Sequence, residues 1–336
     1  MINNRRSFIK NAAFATLSMS LLSRNLMAAK PTATVLQGKR IGMIGLDTGH
    51  CMDFTKAFNA PDAGDKYRGY QVTAAYPKGT ENIREWKDRI PKITQDMKGQ
   101  GVEIVNSMEE LLAKVDVVLI TCIDGNVHLE LATPVIKAKK PVFIDKPFAN
   151  SYKDALAIVE LAKNYQVPMF SCSSLRYNID NEDVIAETVG KVTGADIFSP
   201  AYIEPTHPDL FWYGIHGVEI LFTIMGTGCT SVKRTFTPET DYVVGVWNDN
   251  RIGGYRGIRN GKNGYGATVF GEKAIKVLDI RGGYNPMLVK IAEFYDTKKI
   301  PFPVEQTLEI IAFMEAAEES KKRGGIAIDV ESVMKR

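Results

Sequence analysis

The feature that most restricts how this chain can fold is a rhythm. From about residue 40, short apolar runs alternate with helical patterns, and the run VDVVLITCI (115–123) is apolar on both faces. A strand with no polar face must be covered on both sides, the condition of a central strand in a parallel sheet wrapped by helices. Strand-like runs fall at 40–45, 70–76, 101–105, 141–147 and 168–174. Between them, Phe54 and Phe58 mark one face of a helix over 50–59. Ile83, Trp86, Ile90, Ile93 and Met97 step by three and four, with Pro91 set to break or kink that helix. MEELLAK (108–114), 127–139 and 152–164 supply further helices. Beyond about residue 180 strands dominate, punctuated by glycine turns such as GKNGYGAT, and helices over 287–297 and 304–322 close the chain. The reading is an α/β doubly wound domain over 36–175 followed by an α+β domain over 176–336 on a largely antiparallel sheet.

The first 29 residues differ in character. Arg5 and Arg6 are paired, Phe8 and Lys10 follow, then a mildly apolar run ends in Ala28 and Ala29. This is the layout of a twin-arginine export signal, so a periplasmic location is expected. Cleavage after Ala29 would remove Arg5, Arg6, Lys10, Arg24 and no acid, turning the formal charge of +3 into −1. A charge that small, with no basic stripe, points away from nucleic acid, and no apolar run is long enough for a membrane span. Cys51, Cys122, Cys172 and Cys229 are scattered without metal-ligand spacing, so neither a metal site nor a disulfide framework is expected.

The first strand runs into IGLDTGH. A dinucleotide fingerprint wants three glycines here: one for the turn, one for close approach of the pyrophosphate, one for helix packing. Aligned on Gly45, this chain offers Gly45, Asp47 and His50, with Gly49 one place early. A carboxylate at Asp47 would repel a diphosphate it faced. Asp47 or Thr48 is therefore expected to act as N-cap, turning its oxygen to the helix amides. The second strand ends in AAYPKGT with no acid for a ribose, while Lys78 is placed to meet a 2′-phosphate. Both NAD and NADP stay open.

The stretch DVVLITCIDGNVHLELATPVIKAKKPVFIDKPFANS resembles the glucose–fructose oxidoreductase, inositol dehydrogenase and MocA family, with its strand, turn, histidine, helix and "EKP" motif. LRY (175–177), GIHGVEIL and the C-terminal NPMLVKIAEFYDTKKIPFPVEQTLEIIAFMEAAEESKKRGG continue the likeness. The resemblance implies a Rossmann domain, an open-faced sheet domain and a cleft where NAD(P) meets a sugar, cyclitol or glycoside. It also implies a homo-oligomer packed through the open sheet, with the final helices packing back on the first domain.

Oxidising a secondary alcohol needs a proton acceptor and a cation for the developing alkoxide. By the resemblance Lys146, between Asp145 and Pro147 at a strand's carboxyl end, contacts the substrate hydroxyl, and His216 is the acid/base. Gly45, Asp47, Thr48, Lys78, Cys122, Asp145 and Lys146 are the cofactor-binding candidates. Arg176, Tyr177, His207, Tyr213 and His216 are the substrate candidates, with Glu204 beside them. Asp145 stands where the family has glutamate. Trp212 stands where inositol dehydrogenases carry an aspartate one turn before the histidine, so Tyr213 or Glu219 is expected to orient the imidazole. His128 is read as opening a helix at the cofactor cleft or as packing.

An exported oxidoreductase must keep its nucleotide, since little is free outside the cytoplasm. The leading reading is an NAD(P)-dependent oxidoreductase of a sugar or glycoside hydroxyl with a tightly held cofactor. A glycoside-cleaving enzyme that recycles NAD internally, and a carbohydrate-binding protein that has lost the nucleotide, are the alternatives.

Overall fold

A computed structural model describes residues 38–179 and 182–336, so the twin-arginine reading of residues 1–29 lies outside the described residues. The first sheet has six parallel strands: β1 (Arg40–Ile44), β2 (Gln71–Tyr76), β3 (Glu103–Ile104), β4 (Val117–Ile120), β5 (Val142–Ile144) and β6 (Met169–Phe170). Their order is β3-β2-β1-β4-β5-β6. The direction of winding therefore reverses between β1 and β4, where open α/β sheets place their ligands.

Both faces of β4 are buried, as its sequence demands. Val118 and Ile120 join a core with Leu131, Val135, Ala155 and Ile158, from helices α4 (His128–Lys137) and α5 (Tyr152–Tyr165). Val117 and Leu119 face the other way. There they meet Phe54 and Phe58 of α1 (Gly49–Phe58), Ile93 and Met97 of α2 (Ile90–Gly99), and Leu288 and Ile291 of α8 (Asn285–Thr297). α3 (Met108–Lys114) is capped by Ser107 and covers the same face as α4 over β1 and β2. Pro91 breaks the expected helix: it stands in the first turn of α2, after a separate short helix at Arg84–Lys87.

After α6 (Glu182–Val189), a second sheet forms from β7 (Val192–Pro200), β8 (Cys229–Phe236), β9 (Thr240–Trp247), β10 (Ile252–Ile258), β11 (Gly266–Gly271), β12 (Ile275–Asp279) and β13 (Ile328–Asp329). Its order is β12-β11-β7-β10-β9-β8-β13. Only the β7–β10 pairing is parallel. α7 (Ile215–Met225) and α9 (Val304–Lys322) cover one face, burying Val232, Val243, Trp247 and Tyr255. On the other face Phe198 and Tyr242 alternate with buried Ile197 and Val243 and stand exposed. Among the described residues no helix is long and apolar enough to cross a membrane.

Candidate active site

A cavity of about 400 Å³ lies at the carboxyl ends of β1, β4 and β5 and is closed on its far side by the turn before α7. Lys146 and His216 both line it, with Thr48, Asp145 and Tyr213. Trp86, Trp212, Tyr265 and Tyr284 give it aromatic walls. Flat apolar faces beside a few polar groups suit a sugar, whose C–H face packs on rings while its hydroxyls need partners.

Lys146 follows β5 directly, and its peptide bond to Pro147 is cis. The side chain is buried, with its ammonium 5.9 Å from the centre of the Tyr213 ring. Burial lowers its pKa from the ordinary lysine value, and neighbouring Asp145 opposes that shift. Asp145 is buried too. Desolvation pushes its carboxyl up, but the His50 ring and the amide and ammonium of Lys146 hold it below the usual carboxylate range. His50 and Asp145 bond through Nδ1 and Oδ2. The His50 ring also stacks on Phe54 and meets Tyr284 edge-on. In a glycine fingerprint this position is bare; here it brings a second imidazole to the cavity wall. Sequence reasoning registered His50 only as a missing glycine.

His216 sits in the first turn of α7. Its Nδ1 lies 2.6 Å from the Ser173 hydroxyl, which also accepts the Leu175 amide at 3.2 Å. Burial pushes the imidazole pKa well below its ordinary value, and the nearby Lys146 charge adds to the shift. The ring is therefore neutral at neutral pH. The expected orienting groups are corrected here. Tyr213 meets the imidazole only edge-on, at 5.3 Å between centroids. Glu219 is turned away, accepting the Ser173 amide at 2.6 Å and Arg176 Nε at 2.9 Å. Ser173 is the group sequence reasoning missed. It is 43 residues from His216 along the chain, and no spacing rule links them.

The substrate candidates divide. Tyr213 and His216 reach the cavity; Arg176, Tyr177 and His207 do not. Arg176 is buried between Glu219, Gln306 and the Phe302 ring, 3.7 Å from that ring's centre. With Tyr177 it lines a separate cavity of about 720 Å³ beside α8. His207 packs edge-on against Trp212, with Nε2 3.4 Å from Asp124. Glu204 holds the exposed Thr206 hydroxyl at 3.1 Å. His128 opens α4 but is buried beneath the site, bridging the carbonyls of Cys122 and Phe148 at 2.8 and 3.2 Å, the packing alternative.

The glycine loop resolves differently from expectation. Gly45 has φ +88°, and a Cβ there would lie 2.5 Å from the Cys122 nitrogen, so this turn admits only glycine. Thr48 is the N-cap of α1, accepting the His50 amide at 3.0 Å. Asp47 is not. Its carboxylate is fully buried and takes the Thr80 amide at 2.7 Å, the Ile123 amide at 3.0 Å and the Cys122 thiol at 3.3 Å. Cys122 is thus a buried hydrogen-bond donor to Asp47 and does not line the cavity. Lys78 is one-third exposed, 3.9 Å from Glu81, and also outside the cavity.

These residues divide the fit of a dinucleotide in two. The nicotinamide end fits: Thr48 and Gly49 at the start of α1, Asp145 and Lys146 bound one cavity, and the repelling carboxylate of Asp47 is turned beneath the loop. The adenosine end is filled by the chain itself, because the loops after β2 and β4 touch over Asp47.

Residues 39–172 match the family model GFO_IDH_MocA, described as an oxidoreductase family with an NAD-binding Rossmann fold. An uncharacterised oxidoreductase of Schizosaccharomyces pombe is 25% identical over 114 residues, which span 33% of this chain and 31% of that protein. The fold is shared with a probable dehydrogenase from Thermotoga maritima (TM-score 0.71, 21% identity, 88% of this chain, 99% of that one). It is shared also with scyllo-inositol dehydrogenase from Lactobacillus casei, solved with NAD(H) and scyllo-inositol (TM-score 0.67, 14% identity, 87% and 99%). An oxidoreductase from Agrobacterium radiobacter solved with NAD+, L-tartaric acid and magnesium has a TM-score of 0.67 (17% identity, 88% and 99%). Residues 39–172 thus match an NAD-binding Rossmann oxidoreductase model, and the two-sheet fold of these solved structures is shared over most of the chain.

Proposed function

We propose that this protein is an NAD(P)-linked oxidoreductase acting on a secondary hydroxyl of a sugar or glycoside. One observation carries the reading: Lys146 and His216 border a single aromatic cavity of monosaccharide scale. A nicotinamide, when bound, supplies the hydride acceptor. The residues do the rest. The Lys146 ammonium steadies the hydroxyl oxygen as it gains negative charge, in a desolvated setting where one charge counts for more than in water. His216, neutral because it is buried, takes the hydroxyl proton, while Ser173 holds its Nδ1 and fixes the ring.

Paired Arg5 and Arg6 support twin-arginine export and a periplasmic setting, and the exposed Phe198–Tyr242 face supports a homo-oligomer. The test is a panel of aldoses, cyclitols and glycosides with NAD or NADP, following the reduced nicotinamide. Activity that vanishes in Lys146→Met supports the reading. Aglycone release without net nicotinamide reduction would replace it with the glycoside-cleaving alternative. Sugar binding by calorimetry with no turnover would replace it with a carbohydrate-binding protein, the reading favoured by the filled adenosine end.

A further inference from the structure

The loops that follow β1, β2 and β4 border the groove in which an open α/β sheet receives a dinucleotide. In this protein they are joined. Asp47, from the first loop, accepts amides from the second (Thr80, 2.7 Å) and the third (Ile123, 3.0 Å). The second and third are tied directly by the Thr80 hydroxyl, which donates to Asp124 Oδ2 at 2.9 Å. Asp47, Thr80 and Asp124 are each fully buried. The loops also fit flush: a Cβ on Gly79 would lie 2.6 Å from Asp47 Oδ2, so glycine lets the second loop settle onto the carboxylate. Beyond Thr80 the chain continues into Ile83 and Trp86, which pack with Ile123 and Trp212 across the cavity mouth. None of Asp47, Thr80 and Asp124 lines the cavity, which ends at Thr48, Gly49 and Ile123. Polar atoms of the chain therefore satisfy one another where a nucleotide's ribose and phosphates would ask for partners.

We propose that Asp47, Thr80 and Asp124 form a clasp that shuts the adenosine end of the groove, and that it must release before a dinucleotide seats. The inference rests on the NAD(P) reading of the site. A protein whose binding-competent form is a minor fraction binds with its affinity reduced by that fraction, so loosening the clasp tightens binding. Two amides donated to the Asp47 carboxylate and a hydroxyl donated to that of Asp124, all buried, make the closed form dominant. The clasp explains how an acid occupies a glycine position: its charge serves the closed loops rather than opposing a phosphate.

The experiment titrates NAD and NADP into the full chain and into two variants, read by calorimetry and by the fluorescence of Trp86 and Trp212. Asp47→Asn keeps the shape but sets an amide nitrogen against one of the donated amides. Thr80→Val deletes the hydroxyl tie alone and decides the matter if Asp47→Asn fails to fold. Either folded variant is expected to bind at least tenfold tighter than the unsubstituted chain, the reverse of what simple structural damage produces. Hydrogen exchange adds a readout on the unsubstituted protein: the Thr80 and Ile123 amides are protected alone and lose protection when nucleotide is added. Equal, tight binding by all forms overturns the clasp and leaves the NAD(P) reading standing. No binding by any form overturns both.

Discussion

Gly217 follows His216 on α7 and lies directly against the second sheet. A Cβ placed there would lie 2.2 Å from Tyr255 Cε2 and 2.7 Å from Ser199 Oγ. Tyr255 cannot swing aside, because it is fully buried and its hydroxyl bonds Ser199 at 3.0 Å. Restoring ordinary carbon contact of about 3.5 Å therefore asks α7 to move by roughly 1 Å in Gly217→Ala. Overpacking of this kind costs about 1–3 kcal/mol, and alanine returns about 1 kcal/mol of helix propensity, leaving a net loss of about 0–2 kcal/mol. The consequence for chemistry is larger. His216 rides on the same turn, 2.6 Å from Ser173, and a misplacement of about 1 Å costs on the order of 100-fold in rate, or about 2.7 kcal/mol. The assay pairs a thermal melt with kcat on whichever sugar supports turnover, and follows the His216 ring resonance. Gly99→Ala is the control, since a Cβ there meets nothing within 4 Å. A Gly217→Ala protein with the parent's rate and an unmoved His216 resonance would refute the argument that backbone contact at Gly217 places the imidazole.

Lys146→Met is expected to abolish turnover yet raise the melting temperature at neutral pH. Burial lowers the lysine's folded pKa, so its charged form penalises folding at neutral pH; that penalty fades as pH rises toward the ordinary lysine value, and the gain should shrink with it. His216 is likewise held below its ordinary pKa by burial. The rate of alcohol oxidation should stay level through neutral pH and fall only on acidification well below the usual imidazole range. Ser173→Ala removes the Nδ1 partner and is expected to lower kcat about tenfold or more, with KM little changed and a displaced acid limb in the pH profile; an unchanged profile would deny Ser173 its positioning role. Gly45→Ala forces a side chain into φ +88° and onto the Cys122 backbone. Strain of about 1–2 kcal/mol and overpacking of about 1–3 kcal/mol should together lower stability by about 2–5 kcal/mol in a denaturant titration.

Much of the architecture was legible because it is written locally. A strand apolar on both faces, as at 117–120, has to lie inside a parallel sheet, and Asp145-Lys146-Pro147 directly after an apolar run has to emerge at that sheet's carboxyl edge. The spacing of Phe54 and Phe58 likewise marked α1, and both fall on its buried face. The site's wiring was decided by tertiary structure. Ser173 reaches His216 across 43 residues, and His50 reaches Asp145 across 95. Arg176 and Tyr177 stand two and three residues beyond cavity-lining Ser174, yet they serve another cavity because Glu219 and Phe302 hold Arg176 there. Asp47 shows the division most clearly. Its residue type announced a conflict with phosphate, but where its carboxylate goes depends on which amides the folded loops bring near, and a buried charge takes the donors that folding leaves within reach.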